Sequence, residues 1–232
     1  MRVSAVTCRG KDSVSSQDRV LIGRRVLCDE EFSGEFGEPC AVGIADGVGG
    51  NAGGDIAAEF VCSRLAAVSS FTPECAAGIN AELLEYAGTV PGMGSMASTF
   101  SGIFPGGELL HVGNTRVCAV QGGYLKQLTR DMTTYNYLMS LGRTEEAEQC
   151  RRSEITACFG GGRDAFYSPE VYSVALRGML LLTSDGIHDH LTADEIEGLL
   201  PGGADLEICR RIAGKALENG SEDDMSVVLI RY

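Results

Sequence analysis

Nine short runs of β-forming residues recur along the chain, and they constrain its fold more than any other feature. Each run is five to seven residues long, and most are bounded by Gly, Asn or Asp. The chain has 31 glycines in 232 residues, which supply turns between the runs. This pattern is typical of antiparallel strands joined by short connections. The runs cover residues 2–8, 18–22, 41–46, 98–104, 108–113, 116–121, 171–176, 179–184 and 226–231.

Four helical patterns interrupt the strand runs. Thr72 and Pro73 are typical of an N-cap followed by Pro at the first helical position. Thr192 and Glu195 have the spacing of a capping box. Because helices come in pairs between runs of antiparallel strands, we expect an α+β fold with two packed antiparallel β-sheets flanked by helices, an α-β-β-α sandwich. The predicted helices cover residues 54–68, 73–88, 192–200 and 206–217.

One segment also predicts a local topology. Between residues 98 and 127, three turn signals separate apolar or alternating runs. Such signals are typical of hairpins, so we expect this segment to form an antiparallel meander. The signals are Pro105-Gly106-Gly107, Gly113-Asn114 and Gly122-Gly123.

The charge balance excludes some functions. The chain has 19 Lys+Arg against 32 Asp+Glu, a formal net charge of −13. A protein of this charge repels polyanions, which argues against a dedicated nucleic-acid binder. No apolar stretch reaches membrane-spanning length, and the first residues lack a signal-peptide pattern. We therefore expect one domain over residues 1–232, in a cytoplasmic monomer that binds neither nucleic acid nor membrane.

The nine cysteines are spread over the whole chain and include no Cys-x-x-Cys pair. This distribution favours free thiols in a reducing compartment over disulfides or a structural zinc site. A catalytic cysteine would need a partner base, and the chain offers three histidines. We expect most of the cysteines to be small buried hydrophobes.

Four acidic residues stand at the ends of predicted strands. Asp18 begins one strand, Asp46 and Asp185 end apolar runs and precede Gly, and Asp223 comes shortly before the last strand. A carboxylate at the end of a buried strand is costly unless a positive charge neutralises it. No Lys or Arg is adjacent to Asp46, Asp185 or Asp223, so if these ends converge the fitting counter-charge is Mg2+ or Mn2+. A single Asp-Gly pair is more often an ordinary turn.

The glycine-rich loop that follows Asp46 also matches a nucleotide-binding pattern. Gly47, Gly49 and Ala52 have the spacing of the dinucleotide fingerprint. That fingerprint belongs to a parallel βαβ unit, whereas the hairpin signals downstream favour antiparallel strands. The chain has no G-x-x-x-x-G-K-[ST] motif, so a P-loop is excluded.

Eight motifs, in order and over nearly the whole chain, resemble those of the metal-dependent protein phosphatase family, the PPM or type 2C serine/threonine phosphatases, in their compact bacterial form. Each motif is weak alone, and the ordered set is specific. The motifs are SSQD (15–18), GIADGVGGNAGGDIA (43–57), GSMASTFSGIF (94–104), HVGNTRVCAV (111–120), LKQLTRD (125–131), ITACFGG (155–161), LLLTSDGIHDHLTADEI (180–196) and EDDMSVVLI (222–230).

The resemblance implies a centre of two Mn2+ or Mg2+ ions between the edges of two sheets. Asp46 is expected to bridge both ions, with the Gly47 carbonyl on one of them and Asp185 and Asp223 on the other. Asp18 matches the family's first acidic motif and supports the site, so Asp18 and Asp46 are the candidate catalytic residues. The implied activity is hydrolysis of phosphoserine and phosphothreonine in proteins by a metal-activated water, opposing a serine/threonine kinase of the same cell.

Residues 131–155 correspond to the flap of the family, a variable segment beside the site that affects substrate choice. The segment is mainly polar and charged. We expect it to be mobile, because it has few apolar residues to anchor it. The expected anchor is an apolar cluster of Tyr135, Tyr137, Leu138, Met139 and Leu141.

The chain departs from the family pattern at three places. The family usually has an Arg shortly before its first acidic motif to hold the substrate phosphate, whereas residues 13–17 read Ser-Val-Ser-Ser-Gln. Asn114 stands where an Asp serves an additional ion, so we expect a third ion to be weak or absent. Asp224 stands where Asn is usual. These departures keep open a catalytically weak member acting as a binding or regulatory module, and the glycine loop keeps open a nucleotide-binding oxidoreductase.

Overall fold

The structure, a computed structural model, describes residues 1–11, 14–49, 52–68, 71–162, 165 and 167–232. The strands in this part of the chain are β1 Arg2–Cys8, β2 Asp18–Ile22, β3 Arg25–Leu27, β4 Glu31–Glu35, β5 Val42–Asp46, β6 Ala97–Ser98, β7 Phe100–Ile103, β8 Glu108–Val112, β9 Arg116–Gln121, β10 Tyr124–Gln127, β11 Phe159–Gly160, β12 Glu170–Ser173, β13 Met179–Thr183 and β14 Met225–Arg231. The helices are α1 Gly54–Ala66, α2 Pro73–Thr89, α3 Thr134–Ser140, α4 Thr144–Ala147, α5 Asp185–His188, α6 Ala193–Leu199 and α7 Asp205–Glu218.

The strands form two six-stranded sheets and one short pair. The first sheet has the order β10-β9-β13-β14-β1-β4, and the second has the order β12-β8-β7-β5-β2-β3. Neighbouring strands are antiparallel in both sheets. The pair β6–β11 lies outside the two sheets.

Alternation along the strands explains how the layers pack. In β13, Leu180 and Leu182 belong to the core between the sheets, whereas Leu181 belongs to the cluster under α5, α6 and α7. In β14, Val228 faces the first of these cores and Val227 the second. Since successive strand residues point to opposite faces and both faces are covered, these strands read as continuous apolar runs.

Helices cover the outer face of each sheet. Helices α1 and α2 bury Val61, Leu65 and Leu83 in a cluster that includes Leu21 of the second sheet. Helices α6 and α7 pack on the first sheet through Ile196 and other apolar residues. The observed layers are helices, sheet, sheet and helices, so the predicted α-β-β-α sandwich is confirmed.

Most of the predicted elements are confirmed to within two residues. The Thr192 hydroxyl accepts the Glu195 N–H while the Glu195 carboxylate accepts the Thr192 N–H, as expected for a capping box. The missed strands β3, β4, β10 and β11 are short or carry exposed polar residues. Their pairing depends on a neighbouring strand rather than on their own apolar pattern.

The predicted meander is wrong at its centre. Strands β7 and β8 pair in the second sheet, whereas β9 and β10 pair in the first. Gly113 and Asn114 therefore connect the two sheets instead of turning a hairpin. Gly113 has φ +103°, and a Cβ on it would lie 2.5 Å from Thr99 Cγ2. Gly is required at this crossing because the chain passes so close to its neighbour.

The cysteines and helices add two observations. All nine cysteines lie in the described part of the chain and none forms a disulfide there; only Cys62, Cys118, Cys158 and Cys209 are buried, so the expectation that most are buried is wrong. Among the described residues, every helix is too short or too polar to cross a membrane.

Candidate functional site

Asp18 and Asp46 meet on neighbouring strands of the second sheet. Strands β2 and β5 pair with Asp18 directly opposite Asp46. Asp18 is fully buried, and neither of its carboxylate oxygens accepts a hydrogen bond of good geometry. Burial raises the pKa of Asp18 to about 7, against the influence of the Ser226 and Ser184 hydroxyls nearby. Burial, Asp185 and then Asp18 raise the pKa of Asp46 well above its usual value. Asp18 is fully buried and Asp46 is half-buried, so the ionised pair needs a counter-charge, and neither carboxylate forms an ion pair among the described residues.

Asp185 and Asp223 approach the same place from the first sheet. Asp185 is the first residue of α5 and comes two residues after the end of β13. Asp223 lies two residues before β14, the strand that pairs with β13. Burial and the Asp185 carboxylate raise the pKa of Asp223. The two sheets thus bring their acidic ends together at one edge of the sandwich.

The glycines beside these acids allow the close approach. A Cβ on Gly47 would lie 2.5 Å from the Gly54 carbonyl carbon. A Cβ on Gly186 would lie 2.1 Å from the Asp224 carbonyl oxygen. Real Cβ atoms do not approach backbone this closely, so both Asp-Gly pairs pack against another segment instead of forming free turns.

A cleft of about 580 Å³ is lined by Asp46, Asp185 and Asp223, whereas the buried Asp18 is not part of its lining. Gln17, Thr99 and the backbone of Gly47 also line it. Its lining includes six acidic residues and one arginine, Arg151. The acidic residues are Asp46, Glu154, Asp185, Asp189, Asp223 and Asp224.

The donor chemistry of the cleft fits hard divalent cations. The observation that carries this fit is the buried Asp18 carboxylate, whose two oxygens have no hydrogen-bond partner of good geometry among the described residues. Within the described residues, no three His, Cys, Asp or Glu side chains are arranged closely enough to hold an ion by themselves. Hard cations also accept backbone carbonyl and water oxygens, which the Gly47 backbone and an open cleft can supply.

Asn114 lies at the crossing between the sheets and touches the site. Its Nδ2 donates a hydrogen bond of 3.0 Å to Asp185 Oδ2. Its Oδ1 is buried and has no hydrogen-bond partner. The alternative that Gly113-Asn114 is only a hairpin turn is therefore wrong, since the side chain contacts a candidate ligand.

Asp224 has a role that the sequence analysis missed. It is 4% exposed, and its two carboxylate oxygens accept the backbone N–H groups of Gly10 at 2.7 Å and Gln17 at 2.6 Å. An Asn side chain has one acceptor oxygen and could satisfy only one of these donors. Asp224 thus ties the chain that leads into Asp18 to the segment that carries Asp223. The sequence feature that could have indicated this role is the negative charge of Asp224 itself, at a position where the resembled family has Asn.

The flap, residues 131–155, is held mainly at its base. Thr133 and Ile155 form an antiparallel bridge, and the Thr134 N–H donates to the Glu154 carbonyl at 2.8 Å. The Arg116 guanidinium donates to both oxygens of Asp131, with distances of 2.6 to 3.0 Å. Such a two-pronged ion pair is geometrically specific, and both partners are largely buried. The flap therefore starts and ends at fixed points beside the cleft.

The expected apolar anchor of the flap is largely wrong. Leu138 is buried, whereas Tyr137, Met139 and Leu141 are 40 to 59% exposed. Helix α3 is a single short helix of seven residues, so it presents only one side to the protein. Hydrogen bonds and the Arg116–Asp131 pair provide most of the attachment instead.

A second cleft of about 690 Å³ lies between the flap and the segment that joins α5 to α6. Arg130, Tyr135 and Arg152 line it on the flap side. Asn114, Asp189 and His190 line both clefts, so the two are adjacent.

Searches for similar proteins identify relatives over the full chain. No family model matches it. The chain is 26% identical over 243 residues to the serine/threonine protein phosphatase PstP of Mycobacterium tuberculosis, covering 99% of this chain and 44% of that protein. It is 25% identical over 252 residues to the protein phosphatase PhpP of Streptococcus pneumoniae, covering 99% and 97%. This chain thus spans about half the length of PstP and nearly all of PhpP.

Solved structures agree with these relatives. The crystal structure of M. tuberculosis PstP superposes with a TM-score of 0.80 and 25% identity, covering 99% of this chain and 98% of that one. The chain is thus similar over nearly its whole length to bacterial serine/threonine protein phosphatases, and its fold is that of the PPM phosphatases. A structure of the PstP catalytic domain in complex with two manganese ions has a TM-score of 0.76 and 24% identity, with the same coverage. In this chain, the acidic strand ends lie at one edge of the sandwich.

Proposed function

We propose that this chain is a metal-dependent phosphatase that hydrolyses phosphoserine and phosphothreonine in proteins. The observation that carries the proposal is the convergence of Asp18, Asp46, Asp185 and Asp223 at one edge of a PPM sandwich. Full ionisation of such a cluster at neutral pH requires positive charge beside it. Divalent cations supply that charge and bind phosphate oxygens at the same time.

The residues of the cleft have distinct proposed roles. Asp46, the Gly47 carbonyl, Asp185 and Asp223 hold two ions, Mn2+ or Mg2+. When bound, the ions supply electrophilic stabilisation of phosphate oxygens and activate water for attack on phosphorus. Asp18 supports this arrangement from the buried side of Asp46, and Asn114 orients Asp185 through its 3.0 Å hydrogen bond. The relative bound to two manganese ions supports the choice of metal and the count.

The two alternative functions are less well supported. A dinucleotide fold needs a parallel strand before its glycine loop, whereas β5 is antiparallel to both β2 and β7. Residues 50 and 51 of that loop lie outside the described residues. A non-catalytic binding module would have no need for four converging carboxylates, one of them buried without a partner. The acidic cluster therefore favours the enzyme.

The substrate and cellular context are part of the proposal. We infer that the substrates are proteins phosphorylated by a serine/threonine kinase of the same cell, because the named relatives are protein phosphatases. We also infer that the chain acts as a monomer in the cytoplasm.

A metal titration tests the function. Purified protein, stripped with a chelator, is assayed with p-nitrophenyl phosphate and with a phosphothreonine peptide while Mn2+ or Mg2+ is added. We expect hydrolysis of both substrates to rise with the metal and to disappear on adding excess chelator. A metal-independent rate, or no rate for either substrate with either metal, would contradict the proposal.

A further inference from the structure

To bind a phosphate, the cleft needs a positively charged group, and the protein itself must supply that group. Six acidic residues line it, and a phosphate monoester carries up to two negative charges near neutral pH. Two divalent ions would leave these six carboxylates with a formal charge of about −2, before any cation of the chain is counted. Attraction of the substrate then depends on cations of the chain that reach the cleft.

The segment before Asp18 does not provide this cation in the described residues. Gln17 is the residue of that segment that lines the cleft. Arg9 is directed elsewhere, since its Nη1 donates to the Val14 carbonyl at 3.0 Å. Lys11 is not part of the cleft lining. The cation must therefore come from another element.

Arg151 of the flap is the one Lys or Arg among the described residues that line this cleft. It is exposed, and within the described part of the chain its guanidinium forms no ion pair and no hydrogen bond. Its neighbour differs in each respect. Arg152 lines the second cleft, pairs with Glu148 at 3.7 Å and lies over the Tyr135 ring. One of two adjacent arginines is thus occupied by the protein, and the other is available.

The backbone holds Arg151 close to a fixed point. Its carbonyl accepts the Glu154 N–H at 3.2 Å, and the Glu154 carbonyl accepts the Thr134 N–H at the base of the flap. The residue after Ile155 is also attached, because the Thr156 N–H donates to the Met132 carbonyl at 2.7 Å. Arg151 therefore lies four residues before the bridge residue Ile155, and its backbone is held close to the lining of the cleft.

We propose that Arg151 binds the phosphoryl group of the substrate, in place of the Arg that the segment before Asp18 lacks. A guanidinium donates two parallel N–H groups to two oxygens of one phosphate, whereas a Lys ammonium acts as a point charge. The role is recognition of the phosphoryl group shared by aryl phosphates and phosphopeptides, and no bond to Arg151 is made or broken. This inference rests on the proposed function.

The test compares Arg151→Ala and Arg151→Lys with Arg152→Ala as the matched control. Because Arg151 contacts the phosphoryl group before and during reaction, Arg151→Ala raises KM for p-nitrophenyl phosphate and for a phosphothreonine peptide by about tenfold each, with kcat changed less. Arg151→Lys recovers part of the loss, since it keeps the charge. Arg152→Ala leaves KM for p-nitrophenyl phosphate within about twofold, because its guanidinium faces the other cleft.

A binding measurement makes the test independent of turnover. Calorimetric titration of inorganic phosphate into Mn2+-loaded protein at 0.15 M salt gives an affinity about tenfold weaker for Arg151→Ala and unchanged for Arg152→Ala. Unaltered phosphate affinity in Arg151→Ala, or equal weakening in both alanine variants, overturns the inference. A wild-type protein that binds phosphate through Arg151 but hydrolyses neither substrate overturns the proposed function and leaves the Arg151 site standing.

Discussion

The acidic strand ends and the flap lie on opposite sides of one cleft and are built in different ways. Asp18 and Asp46 occupy strands in the middle of a sheet, and their relative position follows from strand register. The flap is a surface excursion whose two short helices have few buried residues. Register in a covered sheet leaves little freedom, whereas a loop attached at its base tolerates change.

This difference in construction suits the two sides of the cleft to different tasks, metal binding and substrate contact. The rigid side carries the groups that we propose for metal binding, where small displacements are costly. The flap side carries Arg151 and an exposed apolar surface of Tyr137, Met139 and Leu141, groups suited to contact a substrate. Changes to the strand ends should therefore affect all substrates, and most changes to the flap should affect some substrates more than others.

The largest effect is expected at the strand ends. Asp46→Asn, Asp185→Asn and Asp223→Asn should each lower kcat/KM by about a thousandfold or more for every substrate, because each removes a charge that holds an ion. The metal-free variants should fold as well as metal-free wild type, since repulsion in the cluster decreases. Steady-state kinetics and thermal unfolding check both statements. Glu85→Gln, an exposed acid on α2, is the charge-matched control. Near-normal, chelator-sensitive activity in one of the three variants would remove that residue from the site.

Shortening the flap should have a smaller and selective effect. Replacing residues 135–149 by a short Gly/Ser linker removes α3 and α4 but keeps the base of the flap and Arg151. Hydrolysis of a phosphothreonine peptide should fall about tenfold more than hydrolysis of p-nitrophenyl phosphate, as expected for the loss of peptide contacts. Equal reductions for both substrates would show that the flap has no part in substrate choice.

The two hydrogen bonds that Asp224 accepts should contribute to the free energy of unfolding. Asp224→Asn leaves one of the Gly10 and Gln17 N–H groups without its acceptor, so the free energy of unfolding should fall by about 1 to 3 kcal/mol. Urea unfolding in the presence of a chelator measures it. Glu222→Gln, at an exposed neighbouring position, should change stability by less than about 0.5 kcal/mol. Equal stability of the two variants would contradict the role given to Asp224.

The buried acids predict an unusual pH dependence of the metal-free protein. Burial raises the pKa of Asp18 to about 7 and raises that of Asp46 well above its usual value, so the folded state binds more protons than the unfolded state above pH 4. The contribution of these two groups to the free energy of unfolding should be largest below about pH 4. It should fall as the pH rises through about 7, by on the order of 1 kcal/mol per pH unit. Chemical unfolding of chelated protein at pH 6 and 7 checks the sign. Asp46→Asn should have a smaller slope, and an unchanged slope would contradict this origin.

The smallest effect is expected at Asn114. Its amide donates to Asp185 and supplies no charge, so wild type should bind two Mn2+ ions and no strong third ion. Asn114→Asp should gain a weak additional site in a calorimetric Mn2+ titration, while the first two sites remain. Three fully occupied sites in wild type would contradict the prediction.

Local patterns in the sequence predict the elements well. Strands β1, β2 and β9 have the predicted bounds, and the capping box at Thr192 opens α6 as expected. These features depend on residues within a few positions of one another, so side-chain periodicity and capping chemistry are sufficient. The same local reasoning failed at Gly113-Asn114, because a turn signal does not say which sheet the next strand joins.

The candidate site residues could be proposed from the sequence, whereas their spatial arrangement could not. Asp18, Asp46, Asp185 and Asp223 could be named because each acid stands at the end of an apolar run. The contacts that distinguish Asn114 and Asp224 join residues far apart in the chain, such as Asp224 and Gly10, which are 214 positions apart. The choice between two adjacent arginines depends on which cleft each one faces. Sequence by itself determined the elements and the residue types at their ends, because these follow from local backbone and side-chain chemistry. Only the packing of the two sheets decided which of those ends meet, because the burial of both strand faces sets the positions of distant segments relative to each other.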